Sequence, residues 1–455
     1  MISYRRLWAG LATLCLLLVP CSEAAATHKA QHKPPDQAAP APEPAPDPVP
    51  EPQPEPLPQP SGAQRPFPQR SPLATDAIKP NHRTQTQLDQ SVRDFYAVWR
   101  NTYLKAGCGT GRYYVWIGSQ NVWADGQRVI TVSEGMGYGM TIVTYMAGED
   151  PNARSYFDGL FRFVRDHPSS QNGAVPAWRQ LESCRSSSDA NTASGGDLWI
   201  AFALLLADRQ WGSGGGIDYR GEALRTIQAI RAVEMHPTTN LVQLGSWVHA
   251  SYPNEHDAIR TSDLMPALFR VFKGATGDSA WDRAVESAYQ LIGRIQTSLS
   301  PHTGLVPGFV LKTNTSTPEP ATGFLGAWDS HLYEYNACRF PWNIGLDYVL
   351  NGEPRAKAAM DRLQSWQKAV ANGVPWQAYV NYDMNGKTQS FYSHRAFIAP
   401  HGIGSMVGAS HQSWLNALWD HSAVTRIEAS QVSDYYGNTI NLIGLLAMSG
   451  NMWQP

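Results

Sequence analysis

The 455-residue chain is 42% hydrophobic and 16% charged, enough apolar material for one large domain or two ordinary ones. A formal net charge of −2 leaves no basic footprint for nucleic acid and no strong field. The 16 Trp and 19 Tyr exceed what a core asks for, and such rings lining a groove stack on sugar faces while their polar tips reach hydroxyls.

Arg5 and Arg6 precede an apolar run over residues 7–19, and Ala24, Ala25 and Ala26 offer a small-residue cleavage site. Residues 1–26 therefore read as an export signal, with a run too short for a membrane span. A secreted or periplasmic protein is expected. Lipid anchoring through Cys21 is the alternative, although Pro20 before it fits a lipobox poorly. Loss of the signal leaves Cys108, Cys184 and Cys338. A Cys108–Cys184 disulfide is expected, because both lie in loop-like sequence while Cys338 sits in an apolar helical pattern. Residues 27–80, rich in Pro, Ala and Glu, read as an extended spacer, and 81–455 as the folded domain.

Within that domain the apolar spacing is helical. Leu88, Val92, Phe95, Trp99 and Tyr103 share one face, as do Trp281, Val285, Ala288, Ile292 and Ile295. With similar stretches at 156–164, 198–206, 223–233, 344–349, 356–370, 414–419 and 440–448 and the one that follows Glu134, ten are visible, in a domain read as having about twelve. Only 112–116 and 377–382 look extended. An all-α domain with long Gly- and Pro-rich loops follows.

One stretch, TVSEGMGYGMTIVTYM at 131–146, holds Glu134 at a glycine-rich turn leading into an apolar helix. Ser133 suits the N-cap. Gly135, Gly137 and Gly139 lower helix propensity and predict that a ligand or another backbone approaches closely. Tyr138 would flank the carboxylate. The bland alternative is a helix start whose Glu serves the dipole.

Metalloprotease, paired-Cys, phosphate-loop, dinucleotide and serine-elbow motifs are missing, so neither metal nor cofactor is expected. His401, His411 and His421 are read as structural. Carboxylate chemistry remains, with Glu182, Asp189, Asp197, Glu319, Asp329, Glu334 and Asp347 as candidates beside Glu134. Glycoside hydrolysis needs two such groups facing each other across a sugar-sized gap.

SEGMGYGM (133–140), ASGGDLWIAFALLLADRQWG (193–212), TGLVP (303–307), YNACRFPWNIGLDY (335–348) and DYYGNTINLIGLL (434–446) together resemble glycoside hydrolase family 8. The likeness runs in order from about Arg93 to Pro455. It implies an (α/α)6 barrel and inverting hydrolysis of a β-1,4-linked polysaccharide such as glucan, xylan or chitosan; separately, a monomer is expected. Glu134 matches the general acid, Tyr138 and Arg339 match residues around the reactive sugar, and Asp197 matches the second acid of an A-[ST]-D-[AG]-D signature. An aromatic, partly desolvated cleft would keep Glu134 protonated.

Five positions depart from the pattern. Gly195 replaces the signature's first acid, which helps hold the distorted sugar. Asn336 stands where the endoglucanase-like branch has its base, and Gly326 where the chitosanase-like branch has its own. Gly308 and Asn343 replace an Asp and an Arg. Two readings follow. In the first, the chain is a hydrolase with a relocated base, Asp329 first, then Glu334 and Glu319. In the second, it is a relative that has lost catalysis and binds polysaccharide through platforms such as Trp178, Trp199 and Trp328.

Overall fold

The computed structural model describes residues 62–119, 122–424 and 434–455. The expected signal peptide, Cys21 and most of the expected spacer lie outside these. Among the described residues, twelve helices exceed a single turn. They are α1 (Gln85–Tyr103), α2 (Ser133–Tyr145), α3 (Ala153–Asp166), α4 (Ser194–Trp211), α5 (Tyr219–Val233) and α6 (Pro266–Thr276). The second half holds α7 (Ala280–Ser298), α8 (Phe340–Asn351), α9 (Pro354–Val370), α10 (Arg395–Ser405), α11 (Gln412–Ser422) and α12 (Tyr435–Met448).

The even-numbered helices close a ring, each packed on the next and α12 on α2. The odd-numbered helices form an outer layer: α1 on α12, α3 on α2, α5 on α4, α7 on α6, α9 on α8 and α11 on α10. This is an (α/α)6 barrel. Sequence decides which layer a helix joins. Inner α4 is buried on nearly every side from Ser194 to Ala207, so it has no polar face to offer water. Outer α3 buries Phe157, Leu160, Phe161 and Val164 and turns Arg154, Asp158, Arg162 and Arg165 away from the core.

Helix ends follow local chemistry. Thr84 and Gln87 form a capping box at α1. Pro266 and Pro354 open α6 and α9, where a missing N–H costs nothing. Gly277 and Gly352 end α6 and α8 in the left-handed conformation.

Among the described residues, eight short strands decorate the loops. They are β1 (Leu104–Ala106), β2 (Tyr113–Val115), β3 (Trp123–Ala124), β4 (Gln127–Val132), β5 (Arg179–Leu181), β6 (Ile259–Arg260), β7 (Phe309–Leu311) and β8 (Glu319–Pro320). β4 runs directly into α2 and pairs antiparallel with β5, Val132 opposite Arg179. β1 and β2 form a two-stranded sheet, and β6, β7 and β8 another small antiparallel sheet. Residues 112–116 are extended as expected, whereas 377–382 contribute isolated bridges only. Cys108 and Cys184 are disulfide-bonded and Cys338 is free and buried. No helix among the described residues is long and apolar enough to cross a membrane.

The expected spacer reaches too far at its C-terminal edge. From Gln64 to Ile78 the chain lies across the ends where five inner helices finish. Its N–H groups donate to Gln210, Ala147, Gly450, Val349 and Met406, from Gln64, Phe67, Ser71, Ala74 and Ile78 respectively. Those carbonyls lie in the last turn of their helices or within two residues past it, where intrahelical donors run out, so this belt satisfies them. Phe67 is buried beneath it and Arg70 pairs with buried Asp89 at 2.9 Å.

Candidate active site

The opposite end of the barrel, where the inner helices begin, gathers the candidate residues. Glu134 is the second residue of α2, and its side chain keeps about a fifth of its exposure. Its carboxylate is ion-paired with Nη1 of Arg339, which immediately precedes α8. Nη1 lies 3.4 Å from the Tyr138 hydroxyl, and Nη2 donates to Oδ1 of Asn336 at 3.3 Å. The Arg339 guanidinium also sits over the Tyr436 ring, 5.7 Å from its centroid. Glu134, Tyr138 and Arg339 therefore meet, as the resemblance implies. Glu134 faces a guanidinium, not the apolar cleft that sequence suggested.

The helix around Glu134 differs from expectation. Ser133 is its first residue, not its cap, and Val132 before it makes no side-chain cap bond. The Ser133 N–H is instead held by the carbonyl of Trp178 at 2.7 Å. Gly135, Gly137 and Gly139 lie inside the helix. A Cβ on Gly137 would stand 2.8 Å from Cβ of Trp199 and 2.9 Å from the carbonyl of Gly196. The close approach is real, and its partner is the backbone of α4.

Three expected substrate contacts are corrected. Trp199 is fully buried, packed at 4.9 Å on Trp342 and edge-on to Tyr138 at 5.8 Å, so it supports the site from below. Trp178 is nearly buried and its ring face is covered by the Arg179 guanidinium at 4.4 Å. Asp197 is fully buried beneath the cleft and faces Glu234; burial and then that neighbouring carboxyl push its pKa well up. Neither indole is a platform, and Asp197 shares the interior with a second acid. Trp328 is half exposed and keeps the role expected of it open.

The base candidates separate clearly. Glu319 is exposed on β8 and paired with Lys312 at 2.6 Å. Asp347 is enclosed by Arg270 and Tyr289 in a structural cluster. Asp329 and Glu334 are both nearly buried in the loop before α8. Burial raises the Asp329 pKa, and its Oδ2 has one long contact, 3.5 Å to Nδ2 of Asn381. Glu334 is enclosed more completely, which pushes its pKa up to about 7. Its Oε2 accepts from the N–H and Nδ2 of Asn336 at 2.9 and 3.1 Å, the acceptor bonds opposing that rise. A chain of polar contacts thus runs Glu134–Arg339–Asn336–Glu334.

One group among the described residues has metal-ligand spacing. Nε2 of His236 lies 3.2 Å from Nδ1 of His256 and 3.1 Å from Oδ1 of Asp257. The Nδ1 of His236 accepts the N–H groups of Thr238 and Thr239, which leaves the ring proton on Nε2. That proton accounts for the cluster by hydrogen bonding, and an ion there would compete with it. His401 bonds Tyr333 and Gln364, and His411 bonds Asp361, as structural histidines do.

Comparison with known proteins decides what this end of the barrel belongs to. The family model for glycosyl hydrolases family 8 matches residues 118–450. The chain belongs to glycoside hydrolase family 8. A "Beta-glucanase" of Niallia circulans is 36% identical over 86% of this chain and 91% of its own length. An "Endoglucanase" of Bacillus sp. (strain KSM-330) is 33% identical over 86% of this chain and 82% of its own. The apo structure of a β-1,3-1,4-glucanase from Paenibacillus sp. X4 superposes with a TM-score of 0.79 at 37% identity, covering 86% of this chain and 99% of that one.

This family 8 hydrolase departs from the expected cleft in an ordered way. The missing side chain of Gly308 leaves the space that Oε1 of Glu334 occupies, well inside van der Waals contact of any Cβ there. Asn343 donates to the carbonyl of Ser262 at 2.7 Å. Sequence reasoning missed Asp263 and Tyr436. The first ends the short turn Thr261–Asp263, two residues before the Met265 cap of α6, and carries no helix-start signal. The second lies inside the quoted DYYGN block.

Proposed function

We propose that the protein is an exported, monomeric, inverting glycoside hydrolase that cleaves β-1,4 linkages in glucan, with Glu134 as general acid and Asp329 as base. The carrying observation is Glu134 itself. It is partly open at the end where the inner helices start, and Arg339 and Tyr138 are ranged beside it. Glu134 would protonate the departing glycosidic oxygen, while Asp329 takes a proton from the water attacking the opposite face. Asp329 supports the base role because it is less deeply enclosed than Glu334 and adjoins half-exposed Trp328. Its Oδ1, like Oε1 of Glu334, is buried without a side-chain partner among the described residues, so this feature does not separate the two. Glucan is the substrate favoured by the names of the relatives and by a cleft in which Gly and Asn replace charged side chains.

Glu334 is the second reading for the base. Its carboxylate lies 3.1 Å from the side chain of Asn336, the position that carries the base in the endoglucanase-like branch.

The test is reducing-end release from β-glucan, carboxymethylcellulose, xylan and chitosan by the 62–455 domain. Glu134→Gln should lower turnover by roughly 10²–10⁴-fold, the usual contribution of a general acid, without loss of oligosaccharide binding. Asp329→Asn should be comparably damaging. If Asp329→Asn retains most activity and Glu334→Gln abolishes it, the base is Glu334. Retarded migration in a β-glucan gel with no sugar release from any substrate would replace the hydrolase by a binding protein.

A further inference from the structure

Asp263 ends the short 3₁₀ turn Thr261–Asp263 that leads into α6, and it is buried. Its Oδ1 lies 2.7 Å from where a Cβ on Gly195 would be, so a side chain at 195 would displace the carboxylate from this position. Oδ2 accepts from Nη1 of Arg260 at 3.2 Å, and Oδ1 from the Ser262 hydroxyl at 3.2 Å. The turn is pinned from three sides. Thr261 bonds the carbonyls of Gly308 and Pro307 at 3.1 and 2.7 Å, and the Ser262 carbonyl holds Asn343 of α8. The carboxylate also stands beside the start of α4, the positive end of that helix's dipole, which favours an anion. The turn packs against Ala337–Arg339, which brings the carboxylate's charge to bear on the Arg339 guanidinium and, more weakly, on the Tyr138 hydroxyl, the two groups that flank Glu134.

We propose that Asp263 is a positioning residue of the sugar site, its carboxylate entering through the gap at Gly195 to hold Arg339 and Tyr138 where they meet the sugar. The acid that α4 lacks at position 195 is thereby delivered from the α6 side into the same space. The inference rests on reading Arg339 and Tyr138 as sugar-facing. The rival is an ordinary buried ion pair in which Asp263 serves Arg260 alone.

The experiment measures cellotetraose affinity calorimetrically in the Glu134→Gln background, which requires no turnover, together with thermal melting. Asp263→Asn should weaken binding by roughly tenfold or more, the effect of one charge-assisted contact. Arg260→Met with Asp263→Asn removes the ion pair as a unit and should bind as weakly as Asp263→Asn. Asp263→Gly with Gly195→Asp returns a carboxylate to the same space from α4 and should recover most of the affinity. Recovery in the Arg260→Met double variant, or Asp263→Asn binding within about twofold of its parent, overturns the proposal in favour of the ion pair. So does a swap variant that melts normally yet binds no better than Asp263→Asn. A wild-type protein that binds but never cleaves would defeat the hydrolase reading and leave this result standing.

Discussion

The two ends of the inner ring are built from the same six helices and treated in opposite ways. Where the helices begin, Glu134, Asp263, Asp329, Glu334 and Arg339 are concentrated, and Glu134 stays partly open. Where they finish, the belt from Gln64 to Ile78 lays backbone N–H groups onto five helix-terminal carbonyls. The asymmetry follows from the helix itself. Its start offers unpaired N–H groups and a positive dipole end, which suit carboxylates. Its finish offers unpaired carbonyls, which need donors. A barrel of this kind supplies an acid-friendly mouth at one end and demands a seal at the other.

Breaking the seal should have the largest effect. A chain beginning at residue 62 keeps the belt and should melt like the full-length protein. One beginning at residue 81 loses five backbone donors, each worth about 1 kcal/mol, or about 5 kcal/mol together. It also uncovers Phe67's packing surface and leaves Asp89 without Arg70. Chemical denaturation of the two truncations decides this. Equal stability would mean the carbonyls find other donors and the belt is incidental.

The mouth carries its own cost, which pH exposes. Glu334 is raised from its ordinary 4.5 to about 7 by burial. Below about 4.5 the carboxyl is protonated in both folded and unfolded chains, and it imposes no penalty. As pH rises from there to about 7 the unfolded chain releases the proton and the folded chain retains it, so stability falls. Above that window the loss is complete, at roughly 3 kcal/mol. Glu334→Gln should abolish this part of the slope. Melting temperatures of wild type and variant between pH 4 and 8 check it, and parallel curves would contradict the burial argument.

Much of this contrast was legible in the sequence, for reasons that differ by residue. The period of 3.6 marks helices such as α1 and α7 because each has one apolar face and one wet one. Glu134, Tyr138 and Arg339 came together because the blocks carrying them begin inner helices. Trp199 and Asp197 misled because an inner helix is apolar all round, and no periodicity says which side meets the cleft. Trp178 misled because Arg179, its neighbour in the chain, covers it. The belt was hidden by its composition: it holds on through backbone donors and scattered side chains such as Phe67, Gln69 and Arg70, with no periodicity that a Pro-rich stretch would advertise. Asp263 was invisible because its role depends on Gly195, 68 residues away in the chain.

The wall between the two ends offers the smallest and most discriminating test, at Gly137. Judged by local preference, Gly137→Ala should stabilise α2 by about 1 kcal/mol, since Ala is the better helix former. Judged by packing, the added methyl meets Cβ of Trp199 at 2.8 Å, the Gly196 carbonyl at 2.9 Å and the Ile200 N at 3.0 Å. Two of these are backbone atoms of α4 and have no rotamer to escape into. Overpacking a close-packed site costs about 1–3 kcal/mol, so packing should win and the variant should lose stability. The strain has a direction as well as a size. It pushes α2 from α4 one turn below Glu134, so turnover should fall more than the melting temperature alone accounts for. Denaturation and turnover on β-glucan, measured on the same preparation, separate the two effects. A more stable variant would show that the glycine is not there for the contact, and that the closeness of α2 to α4 does not place the acid.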